Sequence, residues 1–191
     1  MIMYDTLDQL KSACSKCGKC ELCKTRTNVV FGAGDPHAKV LFVGEGPGEN
    51  EDLQGVPFVG RAGQLLDKML AAVDLSRENG IYIANMVKCR PPKNRDPLPA
   101  EQDACIDWLR AQVKIIHPEI IVCLGRISAQ RLISPDFRVT RQHGEIFDRN
   151  GTKMMGTFHP AALLRNPNQK PEAFADFMKL SEMIGGKPEN P

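Results

Sequence analysis

Short apolar runs alternate along the chain with segments whose apolar positions recur every three or four residues. Lys39–Gly44, Ile81–Val87, Glu119–Gly125 and Lys153–His159 are compact blocks dominated by Val, Ile, Leu, Phe and Met. Blocks of this length bounded by Gly or polar residues are the pattern of strands buried on both faces of a parallel sheet. Between them, Gly63–Val73 places Leu65, Leu66, Met69, Leu70 and Val73 on one helical face, and Ala100–Ile116 does the same with Cys105, Trp108, Leu109, Val113 and Ile116. Pro97 and Pro99 forbid an earlier start to that second helix. An amphipathic start at Tyr4–Ala13, with Ser128–Ile133 and Pro171–Ile184, completes the helical set. Strands alternating with helices predict a three-layer α/β/α fold around a central four-stranded, mainly parallel sheet. Residues 1–191 are expected to form a single domain, with Gly185–Pro191 as a flexible tail.

Composition agrees with a packed core: 42% of residues are hydrophobic and 25% charged, which excludes a largely disordered chain. No apolar stretch approaches the roughly 20 residues of a membrane helix, and Met1–Cys14 lacks the basic and apolar blocks of a secretory signal. The expected location is the cytoplasm. A net charge of +2 leaves open how 25 basic and 23 acidic side chains are sorted onto faces.

Seven cysteines are present, and Cys14, Cys17, Cys20 and Cys23 stand three residues apart. In a reducing compartment such clustering points to metal rather than to disulfides. Two ligand sets compete: the local run of four, or Cys17 and Cys20 together with the distant Cys89 and Cys105, with either an iron-sulfur cluster or zinc as occupant. Cys123, inside an apolar strand, is expected in the core.

Three loops fall at the carboxyl ends of the predicted strands, where open α/β sheets bind ligands. They are Gly44–Asp52, Asn85 through Pro92, and His159–Pro160 through Asn166–Pro167. The first is rich in glycine but lacks both the G-x-G-x-x-G spacing and a following Gly-Lys-Ser/Thr, and its acidic residues repel phosphate. It suits either an acidic surface turn or a backbone brought close to a small planar ligand. Asn85 ends an apolar strand, so its amide needs a partner: a main-chain group, or a ligand with an acceptor beside a donor, as uracil has. His159 is either a structural donor or a group aimed at an oxyanion developing on a leaving group. Phe58 is either core filler or a stacking platform for a base.

Taken together, Gly44-Glu45-Gly46-Pro47-Gly48 with Glu51-Asp52 and Pro57-Phe58-Val59-Gly60, Asn85 through Lys88-Cys89-Arg90-Pro91-Pro92, and His159-Pro160 through Leu163-Leu164-Arg165-Asn166-Pro167 resemble the family 4 uracil-DNA glycosylases, the iron-sulfur branch of the superfamily. The likeness runs from about Cys17 to Pro167. It implies a [4Fe-4S] cluster, structural in role, on Cys17, Cys20, Cys89 and Cys105, a register anchored by Arg26-Thr27 and Val30-Phe31-Gly32, with Cys14 and Cys23 as extras. It also implies action on uracil-containing DNA: the nucleotide is flipped out, its N-glycosidic bond is hydrolysed, and free uracil and an abasic site are the products; a monomer suits such a DNA scanner. By this resemblance Phe58 stacks on the base, Asn85 reads its Watson–Crick edge, main-chain groups of Glu45, Gly46 and Pro47 line the pocket, and His159 faces O2 of the departing anion. The best-known branch positions the attacking water with an Asp where this chain has Gly46, so either Glu45 or Glu51 compensates, or the departing anion dominates catalysis with the water poorly activated. Glu51 is expected to shape the pocket, filling the space of a thymine methyl, more than to act as a base. Leu163 is placed as the wedge that fills the gap in the duplex. Arg165, Lys88, Arg90, Lys93 and Arg95 are candidates for phosphate contact. Two rivals are a non-catalytic iron-sulfur DNA-binding module and the branch that traps uracil-DNA covalently. The latter carries a histidine in the second loop, and Cys89–Pro99 has none. The likeness leaves a sliding-clamp partner unassigned.

Overall fold

The computed structural model describes residues 4–185. Residues 186–191 of the expected tail lie outside that range.

The four apolar blocks form β2 (Val40–Gly44), β3 (Ile81–Asn85), β4 (Ile120–Leu124) and β6 (Thr152–Thr157), and all of their mutual pairings are parallel. The sheet has six strands rather than the four expected, in the order β1-β3-β2-β4-β6-β5. The additions are antiparallel edges: β1 (Ala33–Gly34) on β3, and β5 (Ile146–Arg149) on β6. Neither has an apolar signature, because β1 is two residues long and β5 is largely solvent-facing.

Both faces of β2, β4 and the body of β3 are apolar because alternate residues enter different layers. Val40, Phe42, Ile81, Ile83, Ile120 and Val122 pack with α3 (Arg61–Ala71), α7 (Pro160–Arg165) and α8 (Lys170–Met183). Leu41, Val43, Tyr82, Ala84, Ile121 and Cys123 pack on the other face, against α4 (Pro99–Ile116) and α5 (Arg126–Leu132). A third cluster joins α1 (Leu7–Cys14) and the following segment to α4 through Leu10, Leu22, Phe31, Val87 and Trp108. No helix among the described residues is long and apolar enough to cross a membrane.

Two expected loops contain helices. The acidic stretch opens α2 (Glu49–Gln54), with Glu49, Glu51 and Asp52 in its first turn, where carboxylates favour the amino-terminal dipole. His159 is the N-cap of α7, and Pro160 occupies the first helical position, where its missing N–H costs nothing. The remaining helix, α6 (Val139–Gln142), precedes β5.

Candidate active site and cysteine cage

The carboxyl ends of β2, β3, β4 and β6 open into a cleft of about 630 Å³. Asn85 closes its floor, only 1% exposed, and its Oδ1 has no hydrogen-bond partner among the described residues. Gly44 is its register partner on β2, and a Cβ there would stand 2.4 Å from that oxygen and 2.8 Å from the Phe58 ring. The missing side chain is what lets the amide and the ring approach one another.

Phe58 is buried and adopts φ +54°, a conformation costly for an aromatic residue. It is held from both sides. Arg77 donates to the carbonyls of Pro57 at 2.7 Å and Phe58 at 2.6 Å while pairing with Asp67, and Glu51 Oε1 accepts the N–H groups of Val59 and Gly60, both at 3.0 Å. Glu51 is thus occupied in shaping the loop that carries the ring.

His159 lies beside Phe58, with ring centroids 5.6 Å apart. Its Nδ1 accepts the Ala161 N–H at 3.1 Å, so in the neutral ring the proton sits on Nε2. Burial, reinforced by Arg165 and opposed by Glu51, lowers its pKa to about 4, so the ring is neutral at physiological pH. Glu45 lines the same cleft. Burial first, then the neighbouring Asp96 carboxylate, raise its pKa to about 7, with Arg126 and Arg165 opposing. Arg126 in turn holds Asp96 at 2.5 Å. At Gly46 a Cβ would come within 2.8 Å of the buried Val87 side chain, so a larger residue there requires the loop to shift.

The structure separates the expected DNA contacts. Arg165 is exposed at the cleft. Arg90 is partly buried, bonded to Asn94 and paired with Glu49 at 3.6 Å, and Arg95 clasps Glu101 with two hydrogen bonds. Lys93 is exposed on a tight turn where it and Asn94 both have positive φ. Lys88, expected to face phosphate, is instead 1% exposed: its ammonium donates to the Asn85 carbonyl at 3.0 Å and to Gln112 Oε1 at 2.6 Å. Leu163, expected as a wedge, is fully buried in the core layer beneath α7, because the helix turns that position toward the sheet; its neighbour Leu164 is the partly exposed leucine. Arg126, Asp96 and Arg77 were not anticipated. Their partners lie far away in sequence, and no local pattern marks them.

Cys17, Cys20, Cys89 and Cys105 line one cavity, together with Cys14 and Cys23. No three His, Cys, Asp or Glu side chains among the described residues form a site for a single metal ion. Three N–H donors reach the sulfurs, each at 3.3 Å: Trp108 Nε1 to Cys17, the Arg26 guanidinium to Cys89, and the Lys88 main chain to Cys105. Such donors suit thiolates, and hydrogen bonds to sulfur are a recurrent feature of iron-sulfur sites. The donor set and its surroundings therefore fit a cluster. With no metal bound, burial pushes the Cys14 and Cys105 thiols up to about 12 and about 11, which favours their protonated forms. Cys123 is buried within the sheet, as expected.

Residues 31–180 match the model of the uracil DNA glycosylase superfamily. The chain is 45% identical to a type-4 uracil-DNA glycosylase of Archaeoglobus fulgidus over 96% of both sequences, and 49% identical to one of Thermotoga maritima over 74% of both. A type-4 enzyme of Sulfurisphaera tokodaii is 42% identical over 94% of this chain and 85% of its own. With the cleft built from the ends of four parallel strands and the cysteines gathered beside it, these similarities establish that the chain belongs to the uracil DNA glycosylase superfamily, in its type-4 group.

Proposed function

We propose that the protein is a DNA repair glycosylase that flips uracil out of DNA and hydrolyses its N-glycosidic bond, releasing free uracil and leaving an abasic site. The observation that carries this reading is the orphaned Asn85 Oδ1. A buried acceptor without a partner costs about 1–3 kcal/mol, a cost relieved by a ligand that brings an N–H. Uracil brings N3–H to that oxygen and offers O4 to the adjacent Nδ2. Cytosine presents the reverse pattern at both positions and is refused.

Phe58 supplies the face on which the ring stacks. The Nε2–H of neutral His159 donates to O2 as negative charge develops on the leaving base, while the sugar becomes oxocarbenium-like. A donor fixed in advance in a water-poor pocket costs no reorganisation at that moment. Glu45, which faces Asp96 in the cleft, orients the attacking water, since Glu51 is committed to the Val59 and Gly60 amides. Its ionised form is the competent one. Arg165 and Arg126, which line the cleft, and the exposed Lys93 would meet the phosphates of an entering strand.

Cys17, Cys20, Cys89 and Cys105 would hold a [4Fe-4S] cluster, which when bound supplies a structural cross-link. The chain itself contributes the amino-terminal segment, the loop after β3 and α4, which that link fastens together beside the reader Asn85. Incubation with a uracil-containing oligonucleotide followed by alkali tests the reading. Strand breaks are expected; an intact strand or an SDS-stable adduct refutes turnover.

A further inference from the structure

Lys88 is a buried cation with an unusual set of neighbours. Its side chain is among the largest fully enclosed ones, and no carboxylate among the described residues is a hydrogen-bond partner. Instead, the ammonium grips the main-chain carbonyl of Asn85 at 3.0 Å and Gln112 Oε1 at 2.6 Å, and Gln112 Nε2 continues to the Phe31 carbonyl at 2.9 Å. The main-chain N–H of the same residue donates to Cys105 Sγ at 3.3 Å. One residue therefore touches both the peptide that carries the uracil reader and a wall of the cysteine cage. A buried ammonium held by two neutral oxygens and the face of the Phe31 ring, 6.0 Å from its centroid, is poorly compensated. The thiolates of an occupied cage place negative charge beside it and favour the arrangement seen here.

We propose that Lys88 is a positioning residue that couples the cysteine cage to Asn85, so that an occupied cage and a base bound at Asn85 each favour the other. This rests on the reading of the site as an iron-sulfur uracil glycosylase. The cluster would thereby do more than tie segments together: through Lys88 it would fix the carbonyl of Asn85 at the last β2–β3 register pair, Gly44 with Asn85, and hence the angle at which the carboxamide meets the base. Coupling of this kind is reciprocal, which gives a readout separate from catalysis. Release of iron requires the cage to open, and a ligand that favours the closed arrangement slows it.

The experiment follows iron release to a chelator from the iron-bearing protein, with and without saturating free uracil, with occupancy checked by equilibrium dialysis of labelled uracil. In the wild type, uracil is expected to slow release about fivefold or more. In Lys88→Met, which keeps the apolar stem, that protection is expected to vanish. kcat/KM on uracil-DNA, normalised to iron-bearing protein, should then fall about tenfold or more, because charge-assisted contacts to the reader are lost. Gln112→Leu, which removes the other oxygen holding the ammonium, should reduce both effects in the same direction. Uracil that saturates the wild type without slowing iron release overturns the coupling, and that arm needs no variant to fold. Equal protection in Lys88→Met overturns the role of this residue. A wild-type protein that holds no iron or excises no uracil overturns the underlying reading as well, and is recognised before any variant is made.

Discussion

Glu51 separates a scaffold from a base. Its Oε1 accepts two main-chain N–H groups, of Val59 and Gly60, at 3.0 Å each, immediately after a phenylalanine held at positive φ. Glu51→Gln keeps an oxygen at that place and loses only its charge. Neutral hydrogen bonds are about half as strong as charge-assisted ones, so the substitution costs roughly 0.5–1 kcal/mol per bond. Over two bonds this amounts to about a 5- to 30-fold loss in single-turnover rate. Glu51→Ala leaves both donors without their acceptor in a half-buried loop and releases Phe58, at a cost of about 2–4 kcal/mol, or roughly 30- to 1000-fold. The assay is single-turnover excision from a uracil-containing duplex, with free-uracil affinity and a thymine-containing control measured on the same preparations. Alanine should be about 5- to 30-fold worse than glutamine, and uracil affinity should fall together with rate. Were Glu51 the base, glutamine and alanine would be equally poor, each losing about 10²- to 10⁴-fold while uracil bound normally, and the scaffold reading would be refuted.

Glu45 and His159 set the pH dependence. Because the Glu45 pKa is raised to about 7 and its ionised form orients water, kcat/KM should fall as pH drops below about 7. Asp96→Asn removes a like charge and should move that limb to lower pH, whereas Glu45→Gln should abolish it; His159, with a pKa lowered to about 4, stays neutral across the same range. A limb unmoved by either substitution would contradict the assignment. DNA binding should weaken with salt, and Arg165→Ala or Arg126→Ala should each reduce the log–log slope by about 1 in a fluorescence-anisotropy titration. Iron analysis should show Cys14→Ser and Cys23→Ser retaining metal, and serine at position 17, 20, 89 or 105 losing it; metal loss at 14 or 23 would reassign the ligands.

Much of the fold was legible because burial writes itself into runs and periods. The four parallel strands and the long helices α3, α4 and α8 sit within a few residues of where apolar spacing puts them. The edges β1 and β5 left no such trace, since an edge strand need not be apolar. Helices α2 and α7 are too short for periodicity, yet their ends carry readable chemistry: carboxylates in the first turn of one, proline after the capping histidine in the other.

The site was legible where a residue type is out of place for its surroundings. Asn85 at the end of an apolar strand is such a case, and so is the spacing of the cysteines. It was illegible where a residue behaves against its type. Lysine is seldom buried, so nothing local in Lys88-Cys89-Arg90 distinguishes the enclosed Lys88 from the more accessible Arg90. Leucine four residues after His159 fits a wedge or a core position equally well in sequence, and only the helical geometry of α7 turns it inward. The grip of Arg77 on the Phe58 loop spans 19 and 20 residues and exists only in three dimensions.

The central claim is that a buried carboxamide oxygen awaits the N3–H of uracil. Its most direct test compares the release of free base, by chromatography, from matched oligonucleotides containing uracil or N3-methyluracil. Many equivalents of uracil per protein, with the methylated base retained, are predicted. Equal release of both bases, or release of neither, would contradict the account.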